Sequence, residues 1–162
     1  MQATIRTTLF VVAISALSLL EGVGYYSGGP WWGYFVYWAF HMNLFMAVAT
    51  SLSYAMMFQM VSRQVKPIIL VAASFFASAL AGALSAKELP TMGMSSAVFF
   101  LNGILFVIIW LQQHKFPARL FFIILAILIA GIFAPRINNA AHIWGFVLGL
   151  LSSLFLLKVH RS

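Results

Sequence analysis

The chain has 162 residues, of which 64 % are hydrophobic and only 7 % charged, and its mean hydropathy is +1.03. A water-soluble domain of this size needs far more polar surface, so the composition excludes one and points to a protein built inside a lipid bilayer. The net charge of +7 does not indicate a nucleic-acid partner, because the basic residues stand singly or in pairs beside apolar runs, where they anchor to headgroups and set topology.

A crossing needs about 20 apolar residues, and six such spans are predicted in chain order: Arg6–Tyr25, Tyr37–Val61, Lys66–Ala86, Met94–Gln113, Pro117–Phe133 and Asn139–Val159. They leave no room for a soluble domain, so residues 1–162 are expected to form a single all-α transmembrane domain. The first run follows Arg6 as in a signal peptide, but no small-residue cleavage site follows it, and it is read as a retained span. The breaks between spans carry Ser27-Gly28-Gly29-Pro30, Ser62-Arg63-Gln64, Lys87-Glu88-Leu89-Pro90, His114-Lys115-Phe116-Pro117 and Pro135-Arg136-Ile137-Asn138. The first break is crowded with aromatics from Tyr25 to Trp38, which reads as an interfacial belt, or as a structured loop lying partly in the outer leaflet.

Orientation follows from the basic residues. Arg6, Arg63, Lys66, Lys115, Arg119, Lys158 and Arg161 share one side, against Lys87 and Arg136 on the other. The positive-inside rule then puts both termini in the cytoplasm. Spans four and six both start from the outer side, so Ser95 and His142 are expected at the same shallow depth.

Those two residues carry the chemistry. Gly93-Met94-Ser95-Ser96 opens the fourth span, and the glycine lets backbone approach a substrate with no Cβ in the way. Serine in a membrane helix also bonds a carbonyl one turn back or a neighbouring helix, the role expected of Ser96. An ionisable residue within a span is costly and points to function, although one near the interface can hydrate. That residue is His142; Gly145 and Gly149 lie three and seven positions beyond it on the same helix face, so the face carrying the imidazole is also the one that packs closely. Asn102, seven residues after Ser95, is expected to bond between helices or to water. Of the two acids, Glu88 reads as a solvated charge beside Lys87. Glu21 reads as a structural partner of the first loop or Arg136, or as a group near the site. The methionines have no metal-ligand spacing, and no cofactor motif is present.

The chain resembles the rhomboid intramembrane serine proteases. Gly93-x-Ser95 with Gly103 matches the family pattern of the fourth span. Ala141-His142-x-x-Gly145-x-x-x-Gly149, with Asn139 and Leu150, matches that of the sixth, and the Trp-rich first loop fits too. The resemblance implies a six-helix rhomboid-like bundle, with Ser95 as nucleophile, His142 as general base and Gly93, Gly103, Gly145 and Gly149 as packing positions. It implies no metal or cofactor, and as partners the lipid bilayer and transmembrane protein substrates cleaved near the outer face of a bacterial plasma membrane. The family's second span usually supplies a histidine and, four residues on, an asparagine to the oxyanion. Aligning Trp31-Trp32 and His41 puts Met46 and Thr50 there, with Thr50 and Asn43 as replacement donors. The departure leaves a catalytically impaired relative that binds membrane helices as the rival reading. A transporter would need ionisable residues near the midplane or interrupted repeated spans, and neither is present.

Overall fold

The computed structural model describes residues 6, 9–10, 12–14, 16, 31–41, 43–85, 93–134 and 137–157. These residues form helices only: α1 (Gly33–Val36), a 3-10 turn (Tyr37–Ala39), α2 (Leu44–Val61), α3 (Pro67–Leu84), α4 (Ser95–Gln113), α5 (Ala118–Ile132) and α6 (Asn139–Leu156). Four of them, α2, α3, α4 and α6, are long and apolar enough to cross a membrane.

Local chemistry sets the boundaries. The span expected from Tyr37 begins seven residues later, because Tyr37–Ala39 folds as a 3-10 turn. Asn43 then caps α2, its Oδ1 accepting the Met46 N–H at 2.8 Å. Pro67 starts α3, where its missing N–H is not needed. His114, in the left-handed region at φ 51°, ends α4. The fifth span is also shorter than expected: α5 has 15 residues, about 22 Å of helix at 1.5 Å per residue against a hydrocarbon core of about 30 Å. Asn138 caps α6 by accepting from the Ala141 N–H, while its amide donates to the Ser85 carbonyl at the end of α3. The expected first span falls largely outside the described residues, although Phe10 and Ile14 within it pack near Tyr54, Met94 and Ala97. Glu21, Lys87, Glu88, Arg136, Lys158 and Arg161 also lie outside them.

Helix α4 is the centre, in contact with α2, α3 and α6, whereas α5 packs mainly against α6. At the end of the bundle far from Ser95, Phe100, Leu101, Ile104, Leu105 and Ile108 of α4 close a core with Val61 and Leu70. Outer faces carry exposed Phe45, Ile68, Phe76, Ile132 and Phe155, as a chain solvated by lipid requires.

The α4–α6 seam is the closest approach. A Cβ on Gly145 would run into the Ser96 carbonyl oxygen, and one on Gly149 into that of Phe100. From the other side, a Cβ on Gly103 would meet the Phe146 carbonyl oxygen and lie 2.8 Å from the Leu150 nitrogen. Only hydrogen fits at these positions, so the backbones touch, and dispersion over that contact holds the pair together where no hydrophobic driving force separates helix from lipid.

Candidate active site

The seam sets the position of two side chains. Ser95 is the first residue of α4, and His142 stands in the first turn of α6. His142 Nε2 lies 2.8 Å from Ser95 Oγ, so the hydroxyl donates to the ring when Nε2 carries the lone pair. One turn along α4, Phe99 stacks flat on the imidazole, with centroids 4.5 Å apart and planes within 3°. That contact fixes the ring plane. His142 is buried and Ser95 is partly open. His142 Nδ1 has no hydrogen-bond partner among the described residues.

A cavity of about 660 Å³ opens beside the pair. It is bounded by α2, α5 and the starts of α4 and α6, and no charged side chain borders it among the described residues. Asn43, Met46, Thr50 and Ser53 form its α2 wall, facing Ser95 and His142. Thr50 Oγ1 lies 2.7 Å from both the Met46 carbonyl and His41 Nε2, so its single proton serves one of them at a time. Asn43, the cap of α2, and Thr50, seven residues on, border the same space. Asn102 donates to the Val98 carbonyl of its own helix.

Gly93 takes φ 106°, a conformation that side chains rarely adopt, and so lets the chain turn into α4 directly over the His41 ring. Ser95, Ser96 and Ala97 follow as the first turn, whose amides have no preceding helical carbonyl to bond. The start of α4 thus leaves backbone donors without helical partners beside the Ser95 hydroxyl. No group of three or more metal-ligating side chains occurs among the described residues.

The serine of one motif and the histidine of the other thus meet at the mouth of a glycine-packed helix pair. The Rhomboid domain family matches residues 28–159. The chain belongs to the rhomboid family. No curated protein matches it. As a rhomboid with four apolar crossing helices, it is an integral membrane protein.

Two further residues of this rhomboid reach the site. Tyr37 and His41, both ahead of the crossing helices, are buried under the Gly93–Ser96 turn. Burial pushes the Tyr37 phenol up to about 12, opposed by its bond to Ser96, and pushes the His41 ring down to about 4, so both are neutral. In the sequence Tyr37 is one more member of an aromatic belt, and nothing in its spacing marks it out.

Proposed function

We propose that this rhomboid is an intramembrane serine endopeptidase that cleaves transmembrane segments near the outer membrane face. The observation that carries the reading is the 2.8 Å approach of Ser95 Oγ to His142 Nε2 beside an open cavity. His142 takes the Ser95 proton as Oγ attacks the scissile carbonyl. The tetrahedral oxyanion collapses, the leaving amine takes the proton from His142, and an ester to Ser95 remains. Water then attacks the ester, again giving a proton to His142, and the acid leaves as Ser95 is reprotonated. The Ser95 amide would hold the oxyanion, with Thr50, Asn43 or water as further donors.

Residues 1–162 act in this reading as one domain, with both termini cytoplasmic and the dyad toward the outer side of a bacterial plasma membrane. A substrate helix would reach Ser95 laterally between α2 and α5, both of which line the cavity. The rival reading, a relative that binds membrane helices without cutting them, draws its support from the same wall: Met46 has no donor and the Thr50 hydroxyl is already engaged. Purified protein in liposomes with a panel of single-span substrates decides between them. A protease gives cleavage inside the span that Ser95→Ala abolishes. Binding without any cleavage across the panel favours the rival.

A further inference from the structure

The segment Tyr37–His41 touches the nucleophile turn on both sides of Ser95. The Gly93 N–H donates to the Tyr37 carbonyl at 3.0 Å, and the Met94 N–H donates to His41 Nε2 at 3.2 Å. On the far side, Ser96 Oγ lies 2.9 Å from the Tyr37 hydroxyl. Tyr37 donates its only proton to the Ser78 carbonyl at 2.6 Å, so Ser96 must be the donor to Tyr37. The ring is pressed onto α3 at Gly82, where a Cβ would come within 2.8 Å of Tyr37 Cε1. Tyr37 is 1 % exposed and His41 4 %.

The donors also settle a proton. Because Nε2 of His41 accepts from Met94, its lone pair is there and Nδ1 holds the ring proton. That nitrogen has a single lone pair, so the Thr50 hydroxyl, 2.7 Å from both Nε2 and the Met46 carbonyl, either competes with Met94 for it or keeps its proton on Met46. The Gly93–Ser96 turn is thus hydrogen-bonded at three of its four residues, and Ser95 alone is left with its side chain toward His142.

We propose that Tyr37 and His41 are positioning residues: together they clamp the Gly93–Ser96 turn so that Ser95 Oγ is held against His142. The proposal rests on the protease reading for its effect on rate, but the clamp itself is a statement about geometry. Positioning matters because a displacement of about 1 Å at a reacting atom costs on the order of 10²-fold in rate. Removing one contact of the clamp should slow the serine without weakening substrate binding.

The test uses the full chain in micelles with ¹⁵N-labelled histidine, read by long-range nitrogen–proton spectra alongside the rate of fluorophosphonate labelling. Ser95→Ala first defines the shift of the His142 ring signals when the serine bond is lost. Ser96→Ala and Tyr37→Phe, which remove one hydroxyl each, should move His142 part-way along that shift and slow labelling by about tenfold. His41→Leu should do the same, and His41→Gln, which restores an acceptor near the Nε2 position, should recover both. The His41 signals of the parent should show a proton on Nδ1. Should the three disrupting variants leave the His142 signals where they are in the parent, the clamp is wrong. It is equally wrong if glutamine and leucine at His41 behave alike, since the ring would then only fill space. A parent that never labels, yet shows the His142 shifts, would remove the protease reading and leave the clamp standing.

Discussion

The two sides of α4 are built on opposite principles. Toward α6, glycines bring backbone onto backbone, and Gly103, Gly145 and Gly149 each lack room for a single further carbon. Toward α5 and the first turns of α2 the helices open around about 660 Å³ of space, although the far end of α2 packs on α4, and α5 buries only Ile124 and Gly131 along its length. The proposed chemistry sits on the boundary between them: Ser95 and His142 stand beside the tight seam and open into the loose side. A reaction that needs two atoms held at hydrogen-bond distance, and also room for a polypeptide, is served by this division. The rigid seam supplies the first requirement, and the sparsely packed α5 leaves the second.

The comparison breaks most visibly at Gly149. Gly149→Leu would drive a side chain into the Phe100 carbonyl, where no flexible neighbour can yield. The expected cost is at least the 1–3 kcal/mol typical of overpacking, read as loss of the folded fraction in thermal melts and size-exclusion profiles. A variant as stable and active as the parent would show that the seam does not set the site.

Next in size is the α2 wall. Thr50→Val keeps the shape and deletes the hydroxyl, so an enzyme that uses that donor should lose about 10²-fold in kcat. Substrate KM should barely move. If cleavage persists at the parent rate, Thr50 is no oxyanion donor, and Met46→His with Thr50→Asn asks whether the usual family pair raises the rate in its place.

The smallest effect belongs to the loose side. Ile127 of α5 borders the cavity and is 47 % exposed. Ile127→Ala should change stability by no more than about 0.5 kcal/mol, as for most exposed substitutions. It should alter cleavage of transmembrane substrates while leaving fluorophosphonate labelling unchanged, because only the larger reactant has to pass α5. Equal changes in both rates would mean that α5 shapes the dyad itself.

The same contrast explains what could be read from the chain before its structure. The seam was legible because its rule is local: small residues four apart on the face of His142 say both that helices touch and which way the imidazole points. The boundaries of α2 and α5 were not. Hydropathy counts Tyr37, Trp38 and Phe40 as membrane residues, whereas the capping by Asn43 and the 3-10 turn ahead of it decide where helix begins. Tyr37 reaches Ser96 across 59 residues, and no periodicity encodes such a pairing. His41 served only to align the second span, because its partner, the Met94 amide, is a backbone group that a sequence does not display.

The central claim is that His142 activates Ser95, and its neighbour provides an internal control. Ser96 is buried and bonded to Tyr37, while Ser95 faces the cavity and the imidazole. Protein in micelles, treated with a fluorophosphonate and mapped by peptide mass spectrometry, should carry the adduct on Ser95 and none on Ser96. His142→Ala should abolish the adduct with the fold retained. An unlabelled parent, or labelling that survives His142→Ala, would contradict the account.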